Sequence, residues 1–369
     1  MKILRYLFFI ALLFLLGTAV FVATQKPSYS VTKSLYIKNK RAVVFDYVND
    51  LRNWETFAAW IVEHQGTQFK YPESSSGKNA HAEWTGSRDG NLKTLQYKDA
   101  ELLRYVSDEN GQLTHYTWQF KDTLGGTKVQ LTAKGTLDFN SKIKAFFQGG
   151  VQSSMGNLYE RTLVGLEKSI SRELKTFQVK VMGLVNQPRV FYLKQFVRCK
   201  AKNLTRSIKT TLPKMQWFFK KNAIQTAGKP FIIYHKWDKE ARVVDYSVCI
   251  PVKDTIAIEE GSDIAFGVLP PFKALRVQLK GDYSHLQKAW NKGIQYINTK
   301  KWARLTHLNV IEIYRKNGED TPHPSQWMTE VYLPVQPTAT ATRQPRTVIQ
   351  DTVAVVTPNE PAVNSNPSP

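Results

Sequence analysis

The sequence predicts an α+β protein: an apolar N-terminal transmembrane helix, a curved antiparallel sheet closing on a long helix, and a duplicated β-α-β-β unit. Three observations carry this. Residues 7–23 are apolar apart from Gly17 and Thr18; the hydrophobic period lengthens from strand-like to helix-like near residue 142; and a strand–helix–strand–strand order occurs twice in the second half.

The apolar run comes first. Lys2 and Arg5 precede it, as before a membrane anchor or a signal segment, so residues 1–25 are read as one or the other. An uncleaved single-pass anchor in a bacterial inner membrane is the leading reading, with cleavage after Phe21-Val22-Ala23 as the alternative. Lys26, Lys33, Lys38, Lys40 and Arg41 follow closely, so positive charge does not settle the side on which the body lies. At 369 residues the chain has room for two domains. Its formal charge of +21 suggests a polyanionic neighbour, nucleic acid or anionic membrane. Two cysteines, Cys199 and Cys249, exclude a disulfide framework and a zinc cluster.

The first domain is expected over 28–175. Residues 28–40 alternate as a strand, 41–50 form a short helix, and several alternating stretches follow. Glu109-Asn110-Gly111 and Leu124-Gly125-Gly126 read as hairpin turns between them. Val151, Met155, Leu158, Thr162, Leu166 and Ile170 then recur at helical spacing, which predicts mainly one helix over 142–174. This order, with the DLRNW segment at 50–54 and Trp60 beyond, resembles the START/Bet v 1-like (SRPBCC, polyketide cyclase-like) superfamily. The resemblance implies a helix-grip fold enclosing an apolar cavity for a ligand. Trp54, Trp60, Trp84 and Trp118 are read as core.

The second domain is expected over 188–336. Residues 191–198 alternate as a strand, 205–222 suit a helix interrupted near Pro213, and the strands KPFIIYHKWD and DYSVCIPV follow. FKALRVQLKG, a helix over 283–300, LNVIEIYRKN and WMTEVYLPV repeat that order. Overlaid, Phe231-Ile-Ile-Tyr234 matches Ile311-Glu-Ile-Tyr314, and Ser247-Val-Cys-Ile-Pro-Val252 matches Glu330-Val-Tyr-Leu-Pro-Val335. These motifs resemble the GyrI-like bacterial transcription-factor effector-binding domain. The resemblance implies a central groove for drug-like, often cationic or aromatic molecules, with a glutamate on the last strand as a principal contact, the place of Glu330. Tyr314 matches an aromatic on the neighbouring strand. Arg315-Lys316-Asn317 departs from the acid–proline pair common there and makes the rim more basic. Residues 337–369, rich in Pro, Thr and Asn, are expected to be a disordered tail.

The candidate ligand-binding residues are Glu330, Tyr314, Tyr234, Glu312, Tyr332 and Met328. A carboxylate among aromatic rings attracts a cation by charge, and the ring faces add cation–π attraction. The expectation is that Glu330 points into a groove between the repeats, with Tyr314 nearby and Tyr234 opposite. The alternative is a hydrolase of small electrophilic compounds using Glu330 and Tyr314. No catalytic residue is otherwise assigned. The histidines lack metal-ligand spacing, Cys249 reads as a buried small hydrophobe, and no cofactor or metal is expected. Residues 174–237 contain no Asp or Glu but many Lys and Arg, from Lys175 to Lys236, which suits contact with anionic lipid. No recognition helix or zinc motif accompanies the charge, so the expected partners are a small molecule and a membrane rather than nucleic acid.

Overall fold

The computed structural model describes residues 2–337, apart from residues 64, 65, 73, 87, 88, 239, 260 and 319. The expected disordered tail, beyond residue 337, lies outside the described residues. Helix α1 (Lys2–Thr24) contains a stretch over Ile3–Thr24 with a mean hydropathy of 2.6, long and apolar enough to cross a membrane. At 1.5 Å per residue it spans about 33 Å, the thickness of a hydrocarbon core. Most of its apolar side chains are exposed; Val22, near its end, is buried.

The first domain opens with β1 (Ser28–Ile37) and α2 (Arg41–Asn49), then short helices α3 (Trp54–Phe57) and α4 (Ala59–Val62). The strands are β2 (Gln68–Lys70), β3 (His81–Thr85), β4 (Gly90–Lys98), β5 (Leu102–Glu109), β6 (Gln112–Thr123) and β7 (Gly126–Thr136). Helices α5 (Phe139–Phe147) and α6 (Val151–Lys175) close the domain. The antiparallel sheet runs β1-β7-β6-β5-β4-β3-β2. Asn110 and Gly111 both have positive φ, 53° and 82°, as a two-residue turn between right-twisted strands requires. The helix expected as one piece over 142–174 is two. Gly149 and Gly150 have φ of 88° and 97°, a left-handed path that ends α5 and resets the axis before α6.

Helix α6 lays Tyr159, Leu163, Leu166 and Ile170 against the sheet, as in a helix-grip fold. The interior between them is filled with rings. Trp54 lies 5.1 Å from Tyr105, 5.7 Å from Trp60, 5.8 Å from Trp118 and 6.0 Å from Tyr116 between centroids, and its indole donates to the Val48 carbonyl at 2.8 Å. Aromatic side chains thus line the interior where the resemblance implies an apolar ligand cavity. The packing gives Trp54 an outsized share of stability.

The second domain holds β8 (Gln178–Gln187), β9 (Val190–Lys200), α7 (Leu204–Lys221), β10 (Phe231–Asp238), β11 (Val243–Val252) and β12 (Ile264–Leu269). It continues with β13 (Phe272–Lys280), α8 (Leu286–Thr299), β14 (Ala303–Arg304), β15 (Val310–Lys316) and β16 (Met328–Gln336). The antiparallel order is β12-β9-β11-β10-β15-β16-β13-β8, with β14 on β16. Around the β10/β15 pair the order is palindromic: β9-β11-β10 of one repeat mirrors β13-β16-β15 of the other. The sheet includes β8, ahead of the expected start at residue 188. Helix α7 runs unbroken through Pro213, where an interruption was expected. Buried Met215 and Phe219 anchor it beyond the missing N–H.

Helices α7 and α8 pack on one face of this sheet. The other face is also buried: Phe231, Ile233, Cys249, Ile311 and Tyr332 form one cluster with Val185 of β8 and Leu269 of β12. Residues from both edges meet there, so the sheet curls around its own second core.

The domains touch through specific polar contacts. Arg52, clamped by Asp50 at 2.7 Å, donates to the Gly318 carbonyl at 2.9 Å. Glu173 of α6 accepts from the Ser325 amide at 3.1 Å. His285 lies 2.8 Å from the Leu174 carbonyl and stacks on Phe177 at 3.8 Å.

Replacing Trp54 with Ala should lower stability by about 3–5 kcal/mol, the cost of a large cavity in a ring-packed core. Urea unfolding followed by circular dichroism measures it; a loss below about 1 kcal/mol would show that the interior is not tightly packed.

Candidate functional site

Side chains directly opposite one another on paired strands share a face of the sheet. Glu312 pairs with Ile232 of β10 and Val331 of β16, and Tyr314 pairs with Thr329. That puts Glu312 and Tyr314 on the helix-covered face, with Tyr234 across the pseudo-dyad. The Glu312 carboxylate accepts from the Tyr234 hydroxyl at 2.8 Å, the Tyr314 hydroxyl at 3.2 Å and the Trp290 indole N–H at 2.5 Å. Trp290 reaches it from α8, which sits close to β16 because of Gly293. A Cβ at that position would clash with Leu333 Cδ1.

Glu312 is 1% exposed, and all three side chains that bond it are neutral aromatic donors. Burial raises its carboxyl above the usual glutamate value, while the three hydrogen bonds pull the other way. Burial, followed by the neighbouring Glu312 charge, lifts the Tyr234 and Tyr314 hydroxyls well above the ordinary tyrosine value. More rings surround this group. Trp290 meets Tyr234 edge-on at 5.4 Å, Tyr283 meets Tyr314 edge-on at 5.1 Å, and Trp327 lies against Tyr283 at 4.7 Å. A cleft of about 160 Å³ adjoins Tyr234 and is also lined by Arg304, Leu308 and Asn309.

Glu330 is elsewhere. It pairs with Ile313, so it shares the opposite face with Tyr332 and Met328. Its carboxylate accepts from Arg315 Nε at 2.7 Å and from the Tyr332 hydroxyl at 2.8 Å, with Arg276 at 3.6 Å. Arg315 also donates to the Tyr332 hydroxyl at 3.1 Å, and Gln278 reaches the Met328 sulfur at 3.2 Å. The expectation that Glu330 joins Tyr314 and Tyr234 in one groove is therefore corrected. The six residues divide into Glu312, Tyr314 and Tyr234 under the helices, and Glu330, Tyr332 and Met328 inside the curl. The hydrolase pair Glu330 and Tyr314 is separated by the sheet. The Arg315 that departs from the family pattern is the residue that neutralises Glu330.

Trp290 and Tyr283 were not singled out from sequence. Trp290 was within reach, since a helix over 283–300 puts it beside Ala289 and Gly293 on the sheet-facing side.

Residues 185–336 match the family model of the GyrI-like small molecule binding domain. This part of the chain is a GyrI-like domain. The domain before it has the seven-stranded antiparallel sheet and long closing helix that the START/Bet v 1-like resemblance implies. Solved structures similar to the chain include the EcmrR C-terminal domain, at 22% identity over 44% of this chain and 99% of that one, with a TM-score of 0.37. EcmrR in complex with DNA shows 20% identity over 54% and 70%, with a TM-score of 0.39. TTHA0849 from Thermus thermophilus shows 18% over 39% and 97%, with a TM-score of 0.29. No curated protein matches the chain at a significant level.

The raised Glu312 carboxyl sets a pH signature on the GyrI-like domain. The folded state holds that proton to higher pH than the unfolded chain, so stability falls as pH rises from the ordinary value of 4.5 through the folded one. Glu312→Gln lacks this loss. Its stability relative to wild type should climb across that window by up to about 1.4 kcal/mol per pH unit. Urea titrations at several pH values measure the difference, and a flat one would mean that the carboxyl ionises normally.

Proposed function

We propose that the GyrI-like domain binds an aromatic molecule carrying positive charge, held between α7 and α8 with Glu312 as the recognising acid, and that α1 tethers the body to a bacterial inner membrane. One observation carries the first part: a buried carboxylate bonded by aromatic donors and by no cation in its set of hydrogen bonds. A cationic ligand offsets the desolvation of that carboxylate, and the faces of Tyr234, Tyr283 and Trp290 add cation–π attraction. Half-buried Trp290, Tyr283 and Trp327 form the outer wall, so entry proceeds by displacement of these rings. The family's small-molecule role supports this reading, as does the apolar length of α1 for the tether. The basic residues between 175 and 236 suit an anionic lipid surface near the tether.

A second reading rests on the same contacts. Glu312 bonded to two tyrosines is a general-base and general-acid arrangement, which suits hydrolysis of a small electrophile by the Tyr314–Glu312 pair.

The test compares three variants against a panel of aromatic quaternary ammonium dyes by calorimetry, and against activated aryl esters and strained rings for turnover. Glu312→Gln should weaken dye binding by about 1–3 kcal/mol, the scale of a charge-assisted contact, while Glu330→Gln leaves it unchanged. The opposite ranking would return the site to Glu330. Turnover by wild type that is lost in both Glu312→Gln and Tyr314→Phe would establish the hydrolase.

A further inference from the structure

At the foot of α1 the chain builds a second apolar surface. Helix α5 places Phe139, Ile143, Phe146 and Phe147 at i, i+4, i+7 and i+8, one stripe along the helix. Phe147 is 76% exposed, and Phe139 and Phe146 are exposed as well. Such a row of phenylalanines facing water marks an interaction surface.

The helix is fixed to the end of α1. Phe21 and Phe146 meet edge-on at 5.9 Å. Lys142, buried on the neighbouring stripe, donates its Nζ to the Ala23 carbonyl at 3.0 Å. That carbonyl belongs to the last turn of α1, where backbone acceptors lack helical partners and a cation suits the dipole. Phe21 is itself exposed, so the bare apolar side of α1 runs into the stripe on α5. Exposed Lys144 flanks the stripe.

We propose that α5 is an interfacial membrane helix, lying in the plane of the bilayer where α1 emerges and seating Phe139, Phe146 and Phe147 among the acyl chains. The proposal rests on α1 as a membrane span. A bilayer that covers α1 as far as Phe21 reaches the ring of Phe146 without a gap. The depth of such a helix is about 5–10 Å below the headgroup boundary. A basic residue beside aromatic ones is the composition that favours this position at an anionic surface. With both helices in place the first domain has a fixed tilt, since two non-collinear contacts remove the freedom a single tether leaves.

The full chain, with Cys199 replaced by Ser and Cys249 left buried, carries a bimane probe through Phe147→Cys in phosphatidylcholine–phosphatidylglycerol vesicles. A matched probe goes in through Leu124→Cys, at the hairpin tip beyond Ile37 and Thr127, one β1 length or about 33 Å from the α1 end. Shallow nitroxide lipids should quench the probe at position 147 and leave that at 124 unchanged. If carbonate washing leaves the chain in the membrane but only aqueous iodide quenches position 147, α5 is not interfacial while α1 still spans. If carbonate releases the chain, both the span and the proposal fail. Should the Phe147→Cys chain misfold, photoreactive lipid crosslinked to wild-type chain provides the second measurement. Adducts within residues 139–147 support the proposal, and adducts confined to α1 overturn it.

Discussion

The antiparallel pairing of β10 with β15 is the constraint on which the second domain depends. It joins the two repeats edge to edge, with Ile232 opposite Glu312 and Phe231 opposite Ile313. Once that register is set, residues on the six central strands take a face by alternation, apart from the bulges near Tyr234, Tyr314 and Arg276. Glu312, Tyr314 and Tyr234 go under the helices; Ile311, Phe231 and Tyr332 go into the curl. A slip of one residue would exchange the two sets and take Glu312 away from its three aromatic donors.

The domain therefore buries Glu330 and Glu312 in two ways. Glu330 is 6% exposed and shares its charge with Arg315 and Arg276, so its desolvation is offset inside the protein. Glu312 has three neutral donors and an upward-shifted carboxyl, so its desolvation is offset only in part. Ile232, its counterpart in the other repeat, shows that the fold does not require an acid at this position. Unequal residues at equivalent positions give the two repeats different chemistry beneath the helices.

The link between β15 and β16, the strands that bear Glu312 and Glu330, is held from outside the GyrI-like domain. Arg52 bonds Gly318 and Glu173 bonds Ser325, both on that link. Its last residue, Trp327, packs on Tyr283, which meets Tyr314. The ring-lined first domain thus buttresses the rings around Glu312.

The sequence by itself determined the elements and their order. The apolar run, the hairpin at Asn110-Gly111, the internal repeat and the strand alternation all depend on neighbours a few residues away or on self-similarity, and each is visible in the linear chain. It also named five of the residues that form the two acid clusters around Glu312 and Glu330. The face of each was not legible, because alternation separates Glu330 from Val331 without saying which side the helices cover. Tertiary structure decided that through the register of β15 with its neighbours. It likewise decided the passage of α7 through Pro213, the arrival of Trp290 from α8 and the neutralisation of Glu330 by Arg315. These are outcomes of packing between segments distant in sequence, and their energies have no local signature.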